Sequence, residues 1–395
     1  LEDEQDMFDF CYKVHYLPAG ENRTSDPEYT KQVQGLQAKL QKLDRSRRVS
    51  GAPGRAGAGP ALRPLLRLAS PQDVLAQMQQ LLGRSETLRG FLQQELGAWR
   101  ERQQIACLGA PADTSLLQLE TWFTALGEGL FQLLQLLRAL GDLRHKVTYE
   151  RDPLQAEPPL LETRLRELLT CLLQSAFVVE LQPSMPTSGK RPLVLRTANK
   201  FSVRARLLVR LHDRNRRMEA KIYIDSFRKF NILTSSSKTL VAGDSPQDGL
   251  VCDFQHLTLK EQKVVGSGKG SKGPNEGPLA VTEELHLITF TLAYAYHGLE
   301  LELETSTLPV VIISNNNQLS SAWASILWFN MLSTDPKATP RLPRLPQNQQ
   351  FFAAPPPAPW PRLAEVLSWQ FESAAERGLS KEHLHMLAEK LFGEA

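Results

Sequence analysis

Four short segments gather cations, amides and hydroxyls at a density suited to contact with a polyanion. They are RTANK at 196–200, FRKFN at 227–231, VVGSGKGSKGPNEG at 264–277 and SNNNQ at 314–318. The side chains that would carry this chemistry are Arg196, Thr197, Lys200, Arg228, Lys229, Lys269, Ser314, Asn315 and Gln318. Lys and Arg neutralise phosphate, while amides and hydroxyls reach phosphate oxygens or base edges. Between Lys190 and Lys229 thirteen Lys or Arg stand against three acids, Asp213, Glu219 and Asp225, although the formal net charge of the whole chain is only +3. Charge concentrated in this way is the electrostatic footprint of a phosphate-bearing partner. The alternative is a solvated basic face of a sheet.

Other chemistries find little support. Gly268-Lys269 is followed by Gly270, where a phosphate-cradling loop needs Ser or Thr and the start of a helix. His383 and His385 fall on different faces of a helix, and no nucleophile elbow or Cys-based catalytic pattern occurs, so neither an enzyme, a metal site nor a cofactor is expected. The four cysteines, Cys11, Cys107, Cys171 and Cys252, form no CxxC pair and suggest a reducing compartment. No run of eighteen apolar residues is present, which argues against a membrane partner. The opening LEDEQDMFDF lacks Met and reads as the inside of a helix, so the chain is expected to be a piece of something longer.

The elements that must position these segments are visible as periodicities. A period of two begins at Phe201: Phe201, Val203, Ala205, Leu207, Val209 and Leu211 share one face, and Arg204, Arg206 and Arg210 the other. Met218, Ala220, Ile222 and Ile224 alternate likewise, with DRNRR at 213–217 between the two runs as a hairpin loop. Ile288, Phe290, Leu292, Tyr294 and Tyr296 share a third face, and LPVVII at 308–313 reads as a fully buried strand. These strands predict a sandwich or partly closed barrel over residues 181–332.

Before them, residues 1–180 carry apolar stripes at steps of three and four: Val33–Leu43, Val74–Trp99, Leu116–Leu140 and Leu161–Leu172. Breaks at 50–64, 109–113 and 151–159 separate them, so an elongated antiparallel four-helix bundle is expected. Near its start Met7, Phe8 and Cys11 sit among acids including Asp3, a candidate surface for another protein. After the strands, residues 333–395 pass through a Pro-rich stretch, RLPRLP and APPPAPWP, to further helices marked by Leu363–Phe371 and Leu379–Leu391.

Seven stretches together resemble the signal transducer and activator of transcription (STAT) family: LEDEQDMFDF at 1–10, LQLETWFT at 117–124, AFVVELQPSMP at 176–186, FRKFNIL at 227–233, GPLAVTEELH at 277–286, LPVVIISNNNQLSSAWASILWFNML at 308–332 and EVLSWQF at 365–371. The resemblance implies a four-helix coiled-coil domain, an immunoglobulin-like (p53-like) DNA-binding β-barrel and the start of a helical linker domain. It also implies a transcription factor of cytokine and interferon signalling that moves between cytoplasm and nucleus. Arg196 and Thr197 match a family Lys-Thr pair that touches the DNA backbone, and Ser314, Asn315 and Gln318 match the segment whose asparagine reaches the groove. Lys200 stands where relatives carry Gln, and several residues that relatives have between Asp225 and Ser226 are missing. Implied partners are duplex DNA, an interferon regulatory factor protein on the bundle, and other STAT proteins, whose dimerisation would need an SH2 module. The competing reading is an adaptor: the bundle docks the regulatory factor, and the barrel adds only weak, non-specific DNA affinity.

Overall fold

The structure is a computed structural model describing residues 71–109, 111–144, 157–186, 191–211, 218–224, 230–234, 236–242, 249–261, 280–332 and 351–393, with Gly35 and Ala38. After the helical Gly35 and Ala38, the described residues form three long helices: α1 (Pro71–Cys107), α2 (Leu117–Arg144) and α3 (Glu157–Ala176). Their stripes face one another, so that Val74, Met78, Leu96 and Trp99 meet Phe123, Leu130 and Leu137 and Leu161, Leu165 and Leu172 in a shared interior. Ser85, the polar member of the α1 stripe, is fully buried, and its hydroxyl donates to the Leu81 carbonyl at 2.8 Å. That bond supplies the partner a buried hydroxyl needs. Gly109, at φ +111°, turns the chain after α1, a conformation glycine adopts without steric cost. The Val33–Leu43 stripe and the patch of Asp3, Met7, Phe8 and Cys11 lie outside the described residues, apart from Gly35 and Ala38, which are helical and exposed.

The apolar period then changes, and α3 passes without a linker into β1 (Phe177–Ser184). The following strands are β2 (Val194–Arg196), β3 (Lys200–Leu207), β4 (Met218–Ile224), β5 (Phe230–Ile232), β6 (Ser237–Ala242), β7 (Leu250–Glu261), β8 (Leu285–His286), β9 (Ile288–Tyr296), β10 (Leu299–Ser306) and β11 (Val310–Ile313). The large sheet runs β1-β3-β7-β6-β4-β9-β10, with β5 added to β7, and all its described pairings are antiparallel. A small sheet places β11 between β2, to which it is parallel, and β8.

One expectation is corrected here. The runs flanking 213–217 are not a hairpin, because β3 pairs with β1 and β7 whereas β4 pairs with β6 and β9. Each strand is buried on one face, and its proper neighbours are set by which apolar faces interlock rather than by nearness in sequence. The barrel is only partly closed, within the range the strand pattern predicts: among the described residues no ladder joins β1 to β10, the two ends of the large sheet.

The C-terminal helices are α4 (Leu319–Leu332), α5 (Trp360–Ala375) and α6 (Lys381–Phe392). Trp328 donates to Gln370 Oε1 at 2.8 Å and Arg362 Nε to the Met331 carbonyl at 3.1 Å, fixing α5 on α4. Arg191, ahead of β2, donates to the Ser373 carbonyl at 2.6 Å.

Polar contacts lock the helices to the strands. Thr124 of α2 donates to the Leu208 carbonyl at 3.0 Å and accepts from the Arg210 N–H at 2.9 Å. Gln103 of α1 donates to the Val179 and Glu180 carbonyls, both at 2.8 Å, and accepts from Gln182 at 2.9 Å. Further along α2, Arg138 donates to the His297 carbonyl at 2.8 Å in the β9–β10 turn, where His297 and Gly298 both have positive φ. Phe131 meets Tyr296 edge-on with centroids 4.7 Å apart. Attachment at two separated points of α2 fixes the direction of the bundle on the strands.

Candidate nucleic-acid interface

The small sheet builds the edge that matters. Val310–Ile313 are all buried, as a run of β-branched residues covered on both faces should be. Because β2 and β11 are parallel with Ile313 opposite Arg196, both strands end at the same edge. Arg196-Thr197 and Ser314-Asn315 therefore emerge side by side. The Thr197 N–H donates to the Ile313 carbonyl at 2.9 Å, and Arg196 Nη1 donates to Asn316 Oδ1 at 2.9 Å.

The asparagine cluster has a structural task at this edge. Asn315 caps a 3-10 turn, Asn316–Gln318, by accepting from the Asn317 N–H at 3.2 Å, and Gln318 Oε1 accepts from the Ser314 and Asn315 N–H groups, each at 3.2 Å. Short amides satisfy backbone donors that a buried strand leaves behind as it surfaces. The turn continues into α4, whose Ala322, Trp323, Ile326 and Leu327 are buried. The loop is thus pinned by a buried strand on one side and a buried helix on the other. Replacing Asn315 with Ala should cost about 0.5–2 kcal/mol through the lost cap, measurable by urea unfolding.

The other end of the Arg196 segment reaches the large sheet. Ala198, at φ +64°, donates its N–H to the Leu259 carbonyl at 3.0 Å, so this turn bridges β2 and β7. Lys200 follows at the start of β3, exposed and opposite Thr258. Arg228, Lys229 and Lys269 lie outside the described residues; Phe230, the next described residue after Lys229, pairs with Glu261 of β7. Arg196, Thr197, Ser314, Asn315 and Gln318 thus share one edge, and Lys200 stands at the far end of the Ala198 turn.

Two cations of the basic stripe belong elsewhere. Arg206 is buried, with Nη1 2.8 Å from Glu120 Oε2 and Nη2 2.8 Å from Glu180 Oε1. Arg204 lies 3.0 Å from Asp253 Oδ2 and 4.0 Å from Glu180 Oε2. Glu180 sits at an irregularity in the β1–β3 register between Val179 and Leu181, where an extra residue re-aims its carboxylate toward both arginines. Gly249, at φ +59°, leaves room for the guanidinium; a Cβ there would run into Arg206 Nη1. Burial pushes the Glu120 carboxyl up from its usual range while Arg206 pulls it down. Burial alone would lower Arg206, but the Glu180 and Glu120 carboxylates outweigh it and hold the guanidinium up. Contacts of 2.8 Å to both arms favour the ionised pair.

At Arg204 and Arg206 the phosphate footprint expected of the basic stripe, and the solvated face that was its alternative, both give way to an ion-pair cluster linking α2, β1, β3 and β7. The charge count over 190–229 misled because the acids that neutralise these arginines, Glu120, Glu180 and Asp253, lie outside that window. Sequence reasoning also missed Asn316 as the partner of Arg196. The available signal was an Arg and a run of amides at the ends of two short strands, but nothing in the sequence specifies their parallel pairing.

Comparison with known proteins accords with this layout. The STAT transcription factor coiled-coil domain matches residues 68–169, the STAT DNA-binding domain residues 181–313, and the signal transducer and activator of transcription linker domain residues 346–395. Signal transducer and activator of transcription 4 of Homo sapiens is 39 % identical over 398 aligned positions, covering 99 % of this chain and 48 % of the relative. The Mus musculus counterpart gives the same values. The chain thus spans about half the length of these relatives. A crystal structure of STAT2 in complex with IRF9 matches at a TM-score of 0.28 and 24 % identity, covering 44 % of this chain and 98 % of that one. The chain belongs to the STAT family of transcription factors, which are not enzymes, and carries coiled-coil, DNA-binding and linker portions.

Proposed function

We propose that this chain is the sequence-reading body of a STAT protein of interferon signalling, with residues 1–180 as the coiled-coil domain, 181–332 as the DNA-binding domain and 333–395 as the start of the linker. Duplex DNA binds at the edge formed by Arg196, Thr197, Lys200, Ser314, Asn315 and Gln318, joined by Arg228, Lys229 and Lys269. The bundle docks an interferon regulatory factor protein through a surface including Asp3, Met7, Phe8 and Cys11, and other STAT proteins pair with it through parts of the longer protein. The protein acts in the cytoplasm and nucleus; no described helix is long and apolar enough to cross a membrane. The type-two member of interferon signalling is the finer assignment, suggested by QLETWFT at 118–124 and GSGKGSKG at 266–273.

The observation that carries the DNA reading is the pairing of Ile313 with Arg196, which delivers a cation and an amide-rich turn to one stiff edge. Log affinity falls with log salt, and each phosphate neutralised steepens that fall by about 0.9, so slopes are compared by magnitude. Arg196→Ala and Arg228→Ala should each lower that slope by about one unit. An unchanged slope in both variants would remove these residues from the interface.

The adaptor reading keeps one supporting observation. Arg204 and Arg206 spend their charge on Glu120, Glu180 and Asp253, which leaves less of the stripe for DNA. Under that reading the regulatory factor binds the chain tightly while duplexes of unrelated sequence compete equally for the edge.

A further inference from the structure

The sheet register places a second row of polar side chains beside the edge described above. On β3 Lys200 stands opposite Thr258, and on β7 Lys260 stands opposite Asn231 of β5. Residues two apart on a strand share a face, so Thr258 and Lys260 point the same way. Lys200, Thr258, Lys260 and Asn231 therefore form one row across three neighbouring strands. The intervening residues confirm the parity: Phe201, Leu257 and Leu259, on the opposite face, are all buried. Lys200, Lys260 and Asn231 are exposed. Glu261 alternates to the other face, opposite Phe230.

This row is continuous with the Arg196 turn. The Ala198 N–H bonds to the carbonyl of Leu259, the residue next to Lys260. Lys200 and Lys260 occupy diagonal positions, which in an antiparallel pair lie about 7–8 Å apart. Two lysines rooted at that spacing on a pleated surface carry like charge and cannot neutralise each other, and no ion pair to either is found among the described residues. Their long flexible stems can follow a backbone whose exact path differs between sequences. The pair therefore suits contacts that position a duplex rather than contacts that read bases.

We propose that Lys260 is a further phosphate-contacting residue and that Lys200 and Lys260 form a track extending the DNA edge from β2 across β3 and β7. This rests on the DNA reading and adds to it a residue that the loop segments did not include. The track is sequence-independent: it strengthens binding to all duplexes alike.

The test uses the 395-residue chain and a mixed-sequence duplex of about 30 base pairs, titrated over about 50–200 mM salt. Lys260→Ala should lower the salt slope by about one unit, and Lys200→Ala with Lys260→Ala by about two. Affinity should fall by a similar factor for duplexes of different sequence, with thermal unfolding unchanged. Lys221→Ala, on β4 between β6 and β9, serves as a charge-matched control and should leave the slope intact. If Arg196→Ala lowers the slope and Lys260→Ala behaves like the Lys221 control, the track is wrong while the DNA reading stands. If the unaltered chain shows no salt-dependent duplex binding, both fall.

Discussion

Replacing Arg206 with methionine is expected to destabilise the chain by about 3–5 kcal/mol, because it strips the cation from buried carboxylates. The Arg206 side chain is only 8 % exposed and that of Glu120 9 %, so water cannot stand in for the lost guanidinium. Taking Glu120, the more buried carboxylate, away with it should restore much of the loss, since a buried ion pair exchanged for apolar groups of similar volume is often nearly neutral. Glu120→Leu combined with Arg206→Met should therefore be more stable than Arg206→Met alone, a sign of coupling that a double-mutant cycle by urea unfolding would measure. Equal stability of the single variant and the unaltered chain would mean that the cluster contributes nothing to the joint between α2 and the strands. The functional consequence is indirect. Arg206 ties α2 to the large sheet, which lies beside the proposed DNA edge at the ends of β2 and β11, so weakening this joint should alter how the two parts are oriented without removing any of the proposed DNA contacts.

Trp99→Ala should cost a comparable amount, about 3–5 kcal/mol, through lost burial and the cavity left behind. Trp99 is 1 % exposed at the end of the α1 stripe, and its indole N–H donates to the Thr114 carbonyl at 3.0 Å across the α1–α2 connection. Truncation thus empties a large volume and also leaves that carbonyl without its donor. The substitution lies wholly in the helices, yet α1 is bonded to β1 through Gln103 and to α4 through Gln104, which donates to the Asn330 carbonyl at 2.8 Å. If helices and strands unfold as one unit, circular dichroism signals for both should shift to the same lower midpoint. A helical transition at low denaturant followed by an unshifted β transition would show that the polar joints do not couple them.

Much of the layout could be read from side-chain periodicity. The Leu116–Leu140 and Val74–Trp99 stripes lie along buried helix faces, and Phe201, Val203, Ala205 and Leu207 alternate inward on β3. These patterns are local, set by helix and strand geometry over a dozen residues. The misreadings have a different origin. Whether 213–217 joins a hairpin, and whether Arg206 faces water, depend on which distant strand becomes a neighbour. Glu120 and Arg206 are 86 residues apart, and their pairing follows from docking α2 against β3 rather than from either segment. Of the candidate site, the two described segments, 196–200 and 314–318, could be picked out because Arg, Asn and Gln at strand ends have few reasons to cluster, while 264–277 and most of 227–231 lie outside the described residues. The parallel pairing that brings Arg196 to Asn316 was not, since β2 is only three residues long and too short to carry a pattern.

Amide hydrogen exchange on the 395-residue chain, with and without duplex DNA, tests the central claim most directly. Slower exchange on adding duplex should appear at Arg196–Lys200 and at Ser314–Gln318, the two segments joined by the Arg196–Asn316 bond, while α1 and α3 stay unchanged. Protection confined to the helices, or none at the strand-end segments under conditions where duplex is bound, would contradict the account.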